Sequence, residues 1–117
     1  MSTQVSFIKI EKEFLPQFRE KISTSEDIVD VQKYFSYTIK EMLQKILEKE
    51  GIKINEDDIQ LLPNHPYYTI KNMDASLKAL WENSDIKDII QRFAETAHKR
   101  YLHLQKNPSK TQKKIRP

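Results

Sequence analysis

The residues best suited to chemistry lie near the C-terminal end of the chain, in and just before the stretch ETAHKRYLHLQK. Arg92 and His98 are the pair of interest, because an arginine binds phosphate and a histidine transfers protons near neutral pH. On a straight helix, six residues place these two side chains about 120° apart, so they do not converge on one phosphate. Glu95 lies within one turn of both. The spacing therefore favours a solvated helix face on which Glu95 pairs with its neighbours.

The spacing of Arg92 and His98 is nevertheless similar to the R-x(4–6)-H motif of HEPN-type ribonucleases, which are small all-helical proteins. Only these two residues match the motif. The resemblance implies a pair near a dimer interface that acts on RNA. His98 also resembles the phosphoacceptor histidine of phosphotransfer bundles, but those domains place a small residue shortly after it, where this chain has Tyr101 and Leu102.

The sequence predicts no metal site, no cofactor and no catalytic residue. His98 and His103 are five residues apart, which does not bring two ligands to one helical face, and His65 has no nearby partner. The acidic residues 56–58 lack the alternating ligands and central glycine of a calcium loop, so an acidic first turn is the simpler interpretation. The absence of cysteine excludes a thiol nucleophile and any cysteine-ligated metal.

The charge of the chain is divided between its two ends. Up to position 97 the chain has 13 basic and 17 acidic residues, a net charge of −4, whereas the last twenty residues carry +7 and no acid follows Glu95. Such a basic segment suits a nucleic acid or an acidic protein, and a solubilising tail is the other interpretation. The residues expected to bind are Lys99, Arg100, Lys106, Lys110, Lys113, Lys114 and Arg116.

Length and hydropathy give the broad class of protein. The 117 residues are enough for one domain, and no apolar run approaches the roughly 20 residues that cross a bilayer. The first residues, MSTQVSFIKIEKE, lack the basic start and long apolar stretch of a secretion signal. We therefore expect a cytoplasmic protein without membrane binding.

Hydrophobic periodicity is strongest in residues 24–51, which predict one long helix. Thr24 or Ser25 is expected to cap its start, and Gly51, the only glycine, its end. Apolar residues at three- and four-residue steps form one stripe about 120° wide, which we expect to be buried. These residues are Ile28, Val31, Phe35, Ile39, Met42, Leu43 and Ile46.

The segments around this helix give weaker signals. Residues 13–23 suit a short helix with Pro16 in its first turn, the place where a helix tolerates proline. Residues 5–10 and 52–54 could be extended and could form a minor β pairing. Residues 55–58 are predicted to form a short turn capped by its asparagine.

The second half of the chain predicts two more helices. One runs from residue 72 or 74 to residue 83, and the other begins after a cap at Ser84 and fades near Asn107, before Pro108. Between the two halves, residues 63–68 carry two prolines and two tyrosines and should form an ordered, aromatic loop.

Together these elements predict an all-α fold: one bundle-like domain of four main helices over residues 1–106, followed by a disordered basic tail over residues 107–117. The expected core is Phe14, Phe18, Ile28, Val31, Phe35, Ile39, Met42, Ile46, Leu62, Leu77, Leu80, Trp81, Ile89, Ile90, Phe93, Ala97 and Tyr101.

Three hypotheses about function follow. The first is a non-enzymatic interaction module with a protein partner, because a polar helical body carries no assembled reactive site. The second is nucleic-acid binding through the basic C-terminal segment. The third is the helical ribonuclease that the spacing of Arg92 and His98 resembles. The sequence predicts no oligomeric state.

Overall fold

The computed structural model describes residues 6–48, 54–73 and 75–106. These residues form four helices, two short strands and a 3-10 turn, so the predicted all-α, bundle-like domain of four helices is confirmed, with a small sheet added. The elements are α1 (Ile8–Ser23), α2 (Ile28–Ile46), a 3-10 turn (Glu56–Asp58), β1 (Ile59–Leu61), β2 (Tyr68–Ile70), α3 (Ala75–Asn83) and α4 (Ile86–Lys106). The predicted tail at 107–117 and the cap at Gly51 lie outside the described residues. No helix in the described part of the chain is both long and apolar enough to cross a membrane.

The buried stripe of α2 is the centre of the core. Val31, Phe35, Ile39 and Met42 have no exposed surface, which confirms the predicted stripe along most of its length. Phe35 packs edge-on against Phe18 of α1, with ring centroids 6.4 Å apart. Burying one such aromatic side chain contributes roughly 1.5–3 kcal/mol, and an aromatic pair adds about 0.5–1.5 kcal/mol.

Two residues predicted for the core are exposed. Ile28 has the angular position of the stripe but is the first residue of α2, and 39% of its surface remains accessible. Leu62 is 37% exposed and lies one residue beyond β1. Side chains in β1 alternate, with Ile59 buried and Gln60 exposed, and the same alternation continued by one residue places Leu62 outward. Four others, Phe14, Ile46, Leu80 and Trp81, pack against the core while partly exposed.

Helix α2 begins two to three residues later than predicted. Its N-cap is Asp27, whose carboxylate accepts a hydrogen bond of 2.9 Å from the backbone N–H of Asp30. Thr24 and Ser25 instead donate their hydroxyl groups to carbonyls of the last turn of α1. The short linker between the two helices therefore closes α1 as well as opening α2, and the two helices pack antiparallel, with Lys45 meeting Glu13 at 2.6 Å.

Helix α1 is longer than the sequence predicts. It begins at Ile8, so residues 8–10 are helical and do not pair as a strand, and residues 52–53 lie outside the described residues. Pro16 lies in the helix interior and not in its first turn. Pro16 is exposed to solvent, so water can satisfy the carbonyl that lacks its usual N–H donor.

Helices α1 and α4 run in the same direction along the body. Their contacts follow one order in both helices. Phe7, just before α1, meets Asp85, Glu11 meets Arg92, and Ser25, two residues after α1, meets Arg100. The Asp85 carboxylate accepts bonds of 2.8 Å from the Phe7 N–H and the Ser6 hydroxyl, and so fixes the start of α1 to the start of α4.

Strands β1 and β2 form an antiparallel hairpin against α2. Their register pairs Ile59 with Ile70 and Leu61 with Tyr68. On the opposite edge of β1, the Gln32 side chain of α2 makes the hydrogen bonds that a neighbouring strand would make. Its Nε2 donates to the Ile59 carbonyl at 3.1 Å, and its Oε1 accepts from the Leu61 N–H at 2.7 Å. The side chain thereby occupies backbone groups that an edge strand would otherwise present to another chain.

Candidate binding surface at the C-terminal half of helix α4

Three nearly parallel aromatic rings lie along α4 and the hairpin loop. The Tyr67 ring stacks on the His98 ring with centroids 4.0 Å apart and planes 18° apart, and the Tyr101 ring follows at 6.0 Å and 12°. All three side chains are half-buried. We call these residues the ring row. The exposed His65 ring meets the edge of Tyr67 at 5.5 Å.

The hairpin loop holds Tyr67 in an unusual backbone conformation. Its φ angle is 75°, in the left-handed region that a bulky side chain normally avoids at a cost of about 1–3 kcal/mol. Hydrogen bonds hold the loop there: the Tyr67 N–H donates to Asn64, the Tyr67 carbonyl accepts from Leu62, and Gln91 of α4 donates to the carbonyl of Pro66, which follows a cis peptide. The sequence contains one glycine, at position 51, so a tyrosine occupies the conformation that glycine usually takes in a hairpin.

Helix α4 supplies the other two rings from one face. His98 and Tyr101 are three residues apart, which places them about 60° apart around the helix. Tyr101 is therefore not the core residue that the sequence predicted, because its ring lies beside His98 and remains half exposed. The predicted aromatic loop connects β1 to β2, with Tyr68 already in β2, and its contact with α4 is what sequence reasoning missed.

Arg92 belongs to a different part of α4. Its guanidinium donates two hydrogen bonds, of 2.6 and 2.8 Å, to the Glu11 carboxylate, and this hydrogen bonding raises the pKa of Arg92 above its usual value. Glu11 is buried, so this bidentate pair fastens α1 to α4. The prediction that Glu95 pairs with Arg92 is wrong. The Glu95 carboxylate accepts a hydrogen bond from the Gln91 side chain instead.

The two predicted basic residues whose side chains the structure describes, Lys99 and Arg100, do not gather at the ring row. Lys99 is exposed but lies about 160° around α4 from Tyr101. Arg100 donates from Nη2 to the carbonyl of Ser25, and its buried Nε has no hydrogen-bond partner among the described residues. Lys106 ends α4. The remaining predicted residues, Lys110, Lys113, Lys114 and Arg116, lie outside the described residues.

A second surface with rings and cations lies between α1 and α2. Lys21 and Lys40 lie 5.6 and 5.3 Å from the centroid of the Tyr37 ring. Carboxylates accompany these cations: Lys40 also approaches Glu41 at 3.6 Å and Glu56 at 3.5 Å. The surface is therefore locally balanced in charge and is a poor match for a polyanion.

A groove of about 590 Å³ lies between α2 and β1. The polar side chains of Gln32 and Ser36 in this groove are already hydrogen-bonded, because both donate to the Ile59 carbonyl. Its charged lining mixes Lys33 with Glu56 and Asp57. The groove therefore brings together no set of free reactive groups.

The acidic turn and the histidines form no metal site in the described residues, where no group of three candidate ligands is close enough to hold an ion. Asn55 caps the turn by accepting from the Asp57 N–H at 3.0 Å, which confirms that predicted cap, and Asp58 accepts from Asn72.

Burial, with a smaller effect of Asp88, raises the pKa of Tyr68 to about 12, so this hydroxyl stays protonated at neutral pH.

Comparison with known proteins finds no protein-family model, no curated protein and no solved structure that matches the chain.

Proposed function

We propose that this protein is a non-enzymatic interaction module that binds nucleic acid through the C-terminal half of α4 and the basic residues that follow it. One observation carries the proposal: the ring row lies where α4 leads into a segment with basic but no acidic residues. Tyr101 precedes Lys106 by five residues, or about 7.5 Å of helix. Partly exposed aromatic rings beside a positive segment are the two components of a sequence-tolerant nucleic-acid site.

The charge distribution supports the same end of the molecule. Net charge is −4 up to residue 97 and +7 beyond it, so the body repels a polyanion while the C-terminal segment attracts it. A protein that neutralises phosphates releases counterions, and its affinity then falls steeply with salt. This electrostatic contribution needs no fixed geometry in the basic segment.

The contacts of Arg92 and His98 favour binding over catalysis. Arg92 is committed to Glu11 by two hydrogen bonds, and His98 is packed against the Tyr67 ring. In a ribonuclease, both side chains would have to reach one phosphate. Here the two side chains contact different elements of the fold: Arg92 binds α1, and His98 packs against the hairpin loop.

The test is the binding of fluorescent 20-nucleotide RNA and DNA to the full chain, measured by anisotropy at 50 and 200 mM salt. With four to seven phosphates neutralised, the slope of log affinity against log salt should be about −3 to −5, which is a loss of roughly 60- to 1,000-fold between these concentrations. Absence of binding at 50 mM, or a slope near zero, contradicts the proposal and leaves a protein partner as the remaining form of the interaction hypothesis.

The same samples distinguish binding from cleavage. The labelled RNA should remain intact on a denaturing gel after incubation with the full chain. RNA that is cut by this chain but stays whole with His98→Ala would instead establish the ribonuclease hypothesis.

A further inference from the structure

We infer that the ring row is a stacking site for unpaired bases, so that the protein prefers single-stranded nucleic acid to duplex. This inference rests on the proposed function and assigns it a class of ligand. Its basis is the geometry of Tyr67, His98 and Tyr101, whose planes lie within 18° and 12° of their neighbours.

The ring row consists of one stacked pair and a third, nearly parallel ring, all of them partly exposed. Tyr67 and His98 are already in stacking contact at 4.0 Å, and Tyr101 is nearly parallel to His98. Every base has a π-face, so such a row accepts any base that is free to leave its own neighbours. The bases of a duplex are covered on both faces by the next base pairs and present only their edges. The ring row therefore discriminates by strand state and not by sequence.

The ring row is held in place before any ligand arrives. The loop bonds and the Gln91 contact fix Tyr67 in its left-handed conformation, and a regular helix fixes His98 and Tyr101. Rings that are ordered in advance lose little conformational freedom on binding, which increases the affinity gained from each stacking contact. A strained backbone conformation that the fold maintains is also typical of ligand sites.

The exposed Tyr37 ring suits this role less well than the ring row does. The Tyr37 ring is approached by two lysine Nζ atoms, and one of these, on Lys40, lies near two carboxylates. A base at Tyr37 would have to displace those cations, and its phosphates would lie near Glu41 and Glu56. In the sequence, by contrast, no carboxylate follows Glu95, whereas seven basic residues do.

The experiment compares a single strand with a duplex of equal length, using Tyr101→Ala, Tyr101→Phe and, on the other surface, Tyr37→Ala. Tyr101→Ala should lower single-strand affinity roughly 5- to 150-fold, the range for one lost stacking contact, and change duplex affinity less than twofold. Tyr101→Phe keeps the ring and Tyr37→Ala leaves the ring row intact, so both should bind as the unmodified chain does. Circular dichroism reports whether each variant is folded.

A second measurement needs no variant. The unmodified chain should bind an abasic deoxyribose-phosphate strand roughly 5- to 150-fold more weakly than oligo(dT) of the same length, because the charges are equal and only the bases differ. Equal affinity for the two strands, or a Tyr101→Ala effect that is the same on single strand and duplex, overturns the stacking inference. Salt-dependent binding that persists in that case leaves the proposed function standing, whereas failure to bind any strand removes both.

Discussion

Replacing Lys110, Lys113, Lys114 and Arg116 together with glutamine is expected to weaken single-strand binding roughly 100- to 1,000-fold at 0.1 M salt. Each phosphate neutralised on a single strand contributes about 0.7 to the salt slope, so four lost contacts reduce the magnitude of the slope by about 3. Because the sequence predicts that residues 107–117 form a tail beyond the folded domain, the substitutions are expected to leave the melting temperature unchanged. Anisotropy titrations at several salt concentrations give both the affinity and the slope.

The matched control removes the same charge from the body. Lys9, Lys12, Lys78 and Lys87 are all exposed on other parts of the surface, and changing them to glutamine lowers the net charge by the same four units. This variant should lose far less affinity, because only distant repulsion changes. Equal losses in the two variants would mean that overall charge, and not the C-terminal segment, drives binding.

Phe35→Ala is expected to destabilise the fold by about 3–5 kcal/mol. Phe35 has no exposed surface and packs between the Phe18 ring at 6.4 Å and the Tyr68 ring at 6.3 Å, so truncation loses burial energy and leaves a cavity between α1, α2 and the hairpin. A domain of this size has a total stability of roughly 5–15 kcal/mol, so the melting temperature should fall by roughly 10–25 °C. Thermal and urea unfolding followed by circular dichroism measure both values.

Val29→Ala is the control for this substitution. Val29 lies on the same helix, is 71% exposed, and should change the unfolding free energy by no more than about 0.5 kcal/mol. If Phe35→Ala and Val29→Ala had similar small effects, the buried stripe of α2 would not be the centre of the core.

The long helices could be predicted from the sequence because their signals are local and repeated. The stripe from Val31 to Met42 has several residues that agree on one face, so an error at either end, such as the exposed Ile28, does not change the assignment. The signal for the cap of the 55–58 turn is equally local, because Asn55 accepts a hydrogen bond from the N–H of Asp57, only two residues later.

The parts that could not be predicted depend on residues far apart in the chain. Glu11 pairs with Arg92 across 81 positions, and the sequence offered Glu95 as a nearer and equally plausible partner. Tyr67, which has a left-handed backbone conformation, stacks on His98, 31 positions later in the chain. A single sequence reveals neither pairing, and the Pro-flanked tyrosines of residues 63–68 were the one available indication that this loop would pack against something.

The most direct test of the binding surface is a titration of the ¹⁵N-labelled full chain with a short single-stranded oligonucleotide, followed by amide chemical shifts. The shifts should change at Tyr67, His98 and Tyr101 and in the residues from Lys106 onward, while those of Lys21 and Tyr37, on the surface between α1 and α2, should not change. Perturbations concentrated at Lys21 and Tyr37, or spread evenly over the body, would contradict a site at the C-terminal half of α4.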